Sequence, residues 1–215
     1  MPRPALDLSL YLVTDTRLCG DVGVAATAAA AVASGVSAVQ LRDTDCSDEE
    51  FVLLGRELHT ALESTGVPLI VNDRVDLLQE IGAAGVHVGQ FDLDVETARS
   101  LIRPDAYLGL SVQTLDHVIE ARRLPADTID YLGVGPIWSQ STKGDAADPS
   151  SPELLATIIA ASPWPCVAIG GIDATRAAAV RRTGAVGLAV VSAICGQPDI
   201  AGATRALRNA WEGAA

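Results

Sequence analysis

Eight short apolar runs recur along this chain, each closing on a polar or glycine-rich tip and each followed by a helix-like stretch. That alternation restricts the fold more than any other feature of the sequence. The runs cover 8–13, 38–41, 68–71, 85–88, 107–110, 131–134, 166–169 and 187–191. They are apolar on both faces, as parallel strands covered by helices are. The stretch 23–34 is rich in alanine, the best helix former. Over 48–63, Phe51, Leu54, Leu58 and Leu62 share one stripe, with Ser47 placed as an N-cap. The stretches 75–81, 95–102, 115–124, 152–161, 175–182 and 200–211 follow the same logic. Gly35, Gly66, Gly82 and Gly184 stand where helices should close before the next strand. Eight such alternations predict an α/β fold, a single (β/α)8 TIM barrel forming one domain over 1–215. An open sheet of eight parallel strands is the alternative. Against it, the first strand-to-helix turn carries no GxGxxG fingerprint.

Composition narrows the function. The 27 acidic and 15 basic side chains leave a formal charge of −12. That argues against a general nucleic-acid or anionic-membrane surface. A phosphorylated small molecule can still bind at a locally basic or N–H-rich site. The four cysteines, Cys19, Cys46, Cys166 and Cys195, are scattered and form no CxxC pair. Neither a zinc site nor a redox motif is expected. No apolar run is long enough to span a bilayer, and the first residues do not read as a signal peptide. A cytoplasmic protein with reduced thiols follows. A homo-oligomer stays open.

In a closed barrel all eight tips gather on one face, where such barrels keep their active sites. Asn72 and Asp73 end one run and Asp92 follows the next. Two carboxylates on neighbouring tips, facing a phosphorylated ligand, suit Mg2+, which keeps several waters. Each Asp could instead cap the helix that follows it. Gln40 and Arg42 alternate along one strand and so point the same way, with Leu41 opposite. Arg42 can grip a phosphate in bidentate fashion, or pair with Asp43 or Asp45. After Val134 the loop GPIWSQSTKGD offers Ser141, Thr142 and Lys143, the one lysine of the chain. It reads as a phosphate cradle without Walker spacing. Gly170 with Gly171, and Val191 with Ser192, end the last two runs, where barrel phosphate sites often form. His87 lies inside a run and reads as a satisfied interior histidine. His59 and His117 fall on helices and read as surface residues.

The segments VQLRDTD, LIVNDRVDLLQEIGAAGVHVGQFDL, LGLSVQT, YLGVGPIWSQSTKGDA, VAIGGI and VVSAI occur in that order. Together they resemble thiamine phosphate synthase, over about residues 11 to 194. The resemblance implies a (β/α)8 barrel that joins hydroxymethylpyrimidine diphosphate to a thiazole phosphate, with Mg2+, releasing pyrophosphate. It implies that Asp73 and Asp92 hold Mg2+. It also implies that Gln40, Arg42, Asn72, Ser111 and Lys143 hold the pyrimidine diphosphate, and that Thr142, Gly171, Val191 and Ser192 hold the thiazole phosphate. The implied mechanism is dissociative: pyrophosphate leaves first and the thiazole nitrogen captures a pyrimidine-methyl cation. No protein nucleophile is needed, and the sequence offers no nucleophile motif.

Three positions depart from the family pattern. Thr44 stands where the pattern Q-x-R-x-K has its lysine, at the edge of the diphosphate site. Gln140, ahead of Ser141, Thr142 and Lys143, replaces a hydroxyl of the phosphate loop with an amide. Gln113 replaces the histidine of an S-V-H-T segment. Two other readings stay open. One is a weakened or non-catalytic relative that binds thiamine precursors, which Thr44 and Gln140 motivate. The other is a thiazole tautomerase, which needs a proton-transferring side chain where Gln113 stands, and an amide does not titrate near neutral pH.

Overall fold

A computed structural model describes residues 3–139 and 149–214 of the chain. Its strands are β1 Leu10–Val13, β2 Ala38–Leu41, β3 Leu69–Asn72, β4 Gly85–Val88, β5 Tyr107–Val112, β6 Tyr131–Val134, β7 Cys166–Ile169 and β8 Gly187–Val190. All pair in parallel with their sequence neighbours, and β8 returns to β1 through Leu12↔Val190 to close the barrel. The eight-stranded closure expected from the alternation is therefore present.

Strand alternation sorts the side chains into two layers. Tyr11, Val13, Ala38, Ile70, Tyr131, Val167 and Ala189 point into the barrel. Leu10, Leu12, Val39, Leu41, Val71 and Val86 point outward, against the helices, and this outer layer is the main core. The covering helices are α1 Thr16–Cys19, α2 Val24–Val32, α3 Asp48–Leu62, α4 Leu78–Ile81, α5 Val95–Leu101, α6 Leu115–Ala121, α7 Pro152–Ala161, α8 Ala177–Arg181 and α9 Ile200–Glu212. Ser47 caps α3 in a reciprocal box with Glu50: Glu50 N donates to Ser47 Oγ at 3.3 Å and Ser47 N donates to Glu50 Oε2 at 2.8 Å. A cap of this kind stabilises a helix by about 1 kcal/mol. Gly35, Gly66, Gly82 and Gly184 all have positive φ, as the helix-closing reading requires.

Where the elements differ from expectation, local hydrogen bonding decides. The stretch 75–81 opens as a 3-10 turn, Val75–Leu77, before α4. The residues ahead of it, Asp73 at φ 60° and Arg74 at ψ 72°, are not helical, so the chain enters through a tight turn. The stretch 175–182 yields only Ala177–Arg181. Asp173 Oδ1 accepts from the backbone N of Thr175 and of Arg176 and holds those residues in a turn. Helix α1 is too short for periodicity to reveal. Its N-cap is Asp15, whose Oδ1 accepts from Leu18 N at 2.9 Å. The polar tip of the first run therefore serves the fold.

Candidate active site

Two adjoining cavities of about 460 Å3 each open at the C-terminal ends of the strands. They share a wall made by Ile169, Ala189 and Val191. The first lies at the centre of the barrel mouth, with lining residues from all eight strands or the turns that follow them. Gln40, Arg42, Thr44, Asn72, Asp73, Asp92 and Ser111 all line it, so residues from four separate tips meet in one space. The second lies over β7 and β8 and takes in Gly171, Val191 and Ser192. Gln140, Ser141, Thr142 and Lys143 lie outside the described residues.

Neither carboxylate of the proposed metal pair caps a helix. The cap of α5 is Asp94, whose side chain accepts from Thr97 N. Asp92 instead accepts from Gly89 N at 2.8 Å through Oδ2, which holds its carboxyl in the mouth of the loop. Asp73 follows β3 and is pinned by its own N–H, which donates to His87 O at 2.9 Å. Asn72 Nδ2 donates to Asp73 Oδ2 at 2.5 Å. Asp73 is the single non-glycine with positive φ among the described residues. Holding a residue there costs on the order of 1 kcal/mol or more, and such strain gathers at functional sites.

Arg42 extends past β2 into the cavity and enters no ion pair among the described residues. The surface pairing with Asp43 or Asp45 is thus not formed, and Asp43 instead accepts from the backbone N of Asp45 and of Cys46. Thr44 is exposed at the cavity edge, and its hydroxyl donates to Asp45 Oδ1 at 3.2 Å. Arg74, next to Asp73, is turned away: it pairs with Asp48 at 2.8 Å and lies over the Phe51 ring at 4.4 Å. It does not replace the missing lysine.

Beneath the first cavity a chain of side-chain hydrogen bonds crosses the barrel. Gln40 Nε2 donates to Tyr11 Oη at 2.9 Å, and Tyr11 Oη meets Tyr131 Oη at 2.8 Å. Tyr131 Oη lies 3.1 Å from His87 Nδ1, and His87 Nε2 lies 2.9 Å from Ser111 Oγ. His87 is buried, as the interior reading expected. Gly109 makes room for the crossing, since a Cβ there would collide with both Tyr131 and His87. Burial pushes the hydroxyl pKa of both Tyr11 and Tyr131 upward, so both stay neutral. Gln40 and Ser111 are thereby fixed in orientation from below. The two tyrosines were not singled out from sequence. The other two histidines are half-buried and not fully at the surface: His117 Nδ1, for example, accepts from Gln113 N at 3.2 Å.

The second cavity is shaped by two glycines. Gly170 and Gly171 have φ of 100° and 64°. A Cβ on Gly171 would stand 2.7 Å from Ser139 O and 2.8 Å from Trp138 Cβ, so only glycine lets the two loops pack. Ser192 follows β8, and Gln197 Nε2 donates to its carbonyl at 2.8 Å. Arg176 and Gln197, which sequence reasoning passed over, also line this space.

Among the described residues no group of three or more His, Cys, Asp or Glu gathers to hold a metal. Two carboxylates facing one cavity still fit a hard divalent ion, because waters and phosphate oxygens can complete its shell. No described helix is long and apolar enough to cross a membrane.

Residues 10–194 match the family model described as thiamine monophosphate synthase. A thiamine-phosphate synthase of Azorhizobium caulinodans is 45% identical over 212 residues, covering 99% of this chain and 98% of that protein. One from Psychrobacter is 45% identical over 192 residues, covering 89% and 90%. The solved thiamine phosphate pyrophosphorylase of Pyrococcus furiosus superposes with a TM-score of 0.85 at 32% identity, covering 97% and 98% of the two chains.

Proposed function

The chain belongs to the thiamine monophosphate synthase family, and from that premise we propose that it joins hydroxymethylpyrimidine diphosphate to a thiazole phosphate and releases pyrophosphate. The observation that carries this reading is the pair of adjoining cavities with a common wall. A two-substrate condensation needs two anion sites whose reacting ends meet, and the shared wall at Ile169, Ala189 and Val191 is where they would meet.

In this reading the diphosphate lies in the first cavity, gripped by Arg42, with Asn72 beside it and Lys143 added from the phosphate loop. Gln40 and Ser111, oriented by the crossing hydrogen-bond chain, hold the pyrimidine ring. The thiazole phosphate lies against Gly171, Val191 and Ser192, with Gln140, Ser141 and Thr142 supplied by the loop. Asp73 and Asp92 would hold Mg2+. When bound there, the ion supplies charge neutralisation to the leaving diphosphate. No protein nucleophile takes part. The residues act by holding both substrates in line and by stabilising the leaving group. Gln113 lines the first cavity as an amide, which suits positioning and not proton transfer. The substrates are small and phosphorylated, and the four free thiols suit a cytoplasmic setting.

The test is direct. Purified protein incubated with both precursors and Mg2+ should yield thiamine phosphate and pyrophosphate in equal amounts, and chelation should stop both. Tight binding of the precursors with no product would replace the synthase reading with that of a binding protein.

A further inference from the structure

The thiazole-phosphate cavity needs a cation, and its described lining contains one. The glycine pair and Ser192 offer neutral donors. Asp173 also lines the space, so an arriving phosphate would meet a carboxylate. That carboxylate is held in its charged form, first by the Thr175 hydroxyl, which donates to Asp173 Oδ1 at 2.6 Å. A dianion beside it is favoured only if a positive charge lies within a few ångströms.

Arg176 meets that requirement. Its guanidinium lies over the Trp138 ring, 5.0 Å from the centroid, and Nη1 donates to the Gly171 carbonyl. These two contacts hold a half-buried arginine at the cavity wall. Among the described residues Arg176 makes no ion pair within 4.0 Å; Asp173 is near enough to feel its charge but does not clasp the guanidinium. One contact to a carbonyl leaves several of its five N–H donors for a ligand. Planar, always charged and backed by an aromatic face, it has the properties that suit phosphate recognition.

We propose that Arg176 is the residue that selects phosphorylated over unphosphorylated thiazole in this protein, by supplying the positive charge of the second cavity. The proposal rests on the placement of the thiazole phosphate given above. Arg176 touches the phosphate and not the reacting atoms, so it sets affinity for that substrate and leaves the bond-breaking step alone.

The experiment compares Kd for thiamine phosphate and for thiamine by calorimetry in wild type, Arg176→Gln and Arg176→Lys, with melting temperatures recorded alongside. Arg176→Gln should weaken thiamine phosphate about 10- to 100-fold while thiamine binding stays level. Arg176→Lys, which keeps the charge, should retain most of the preference. If Arg176→Gln weakens both ligands in parallel, or neither, the arginine only braces Trp138 and the proposal is wrong. A wild type that binds thiamine phosphate no better than thiamine overturns it as well. Failure of the synthase reading looks different: no product from the two precursors, with the phosphate preference still present and still dependent on Arg176.

Discussion

Over β2 to β5 the barrel mouth gathers polar side chains from four strand tips, while over β7 and β8 a pair of positive-φ glycines shapes the wall and Asp173, Arg176 and Gln197 join it. In the first cavity Arg42, Asn72, Asp73, Asp92 and Ser111 face the space, and a buried hydrogen-bond chain supports two of its polar groups from below. In the second, Gly170, Gly171 and the turn after β8 form the lining, with Arg176 as the described cation. Under the proposed function the contrast matches what each ligand would need. A leaving diphosphate gains charge as its bond breaks, so groups around it must be strong and fixed in advance. A phosphate that only anchors its substrate is served by N–H groups and one cation. In the proposed reading, chemistry sits with the first cavity and anchoring with the second.

The largest expected effect tests that division. Asp73→Asn and Asp92→Asn should each lower kcat/KM by about 100-fold or more and raise the Mg2+ requirement. Stability should barely change, because asparagine tolerates the left-handed backbone at position 73. Wild-type kinetics and Mg2+ dependence in both variants would remove the metal assignment. Lys143→Ala should cost more than about tenfold in kcat/KM with the fold intact. Unchanged kinetics would leave that loop as a solvated connection.

The two cavities differ in how legible they are in the sequence. Arg42, Asn72, Asp73 and Asp92 are polar residues that close or follow apolar strands, and polarity in that position is visible in one dimension. Tyr11 and Tyr131 were not visible. A tyrosine in an apolar run reads as core, and these two are 120 residues apart until the barrel closes. Arg176 was hidden because 175–182 reads as helix, where an arginine counts as solvated surface. The turn held by Asp173 unwinds that start and presents the side chain to the cavity. The eight strands were legible because both their faces are buried. Element ends were less so, since they depend on single hydrogen bonds such as those at Asp73 and Asp15.

A subtler test addresses the support beneath the first cavity. Tyr131→Phe removes the hydroxyl that joins Tyr11 to His87, leaving buried partners short of a contact. The expected loss is about 1–3 kcal/mol of stability, read by thermal or denaturant unfolding. The KM for pyrimidine diphosphate should rise and that for thiazole phosphate should not. Equal rises in both would mean that the chain supports the barrel as a whole. The smallest effect is expected at Thr44, which is exposed. Thr44→Lys should tighten pyrimidine diphosphate by about 1 kcal/mol, as a solvent-facing ionic contact does. Looser binding, measured by calorimetry with Mg2+, would show a diphosphate site already balanced around Arg42.

Each cavity is assigned one anion. A crystal structure of the protein with thiamine phosphate, pyrophosphate and Mg2+ tests that assignment most directly. Pyrophosphate is expected on Arg42 with the metal beside Asp73 and Asp92, and the thiamine phosphate group against Gly171, Ser192 and Arg176. Pyrophosphate lodged over β7 and β8, or a metal remote from both aspartates, would contradict the assignment.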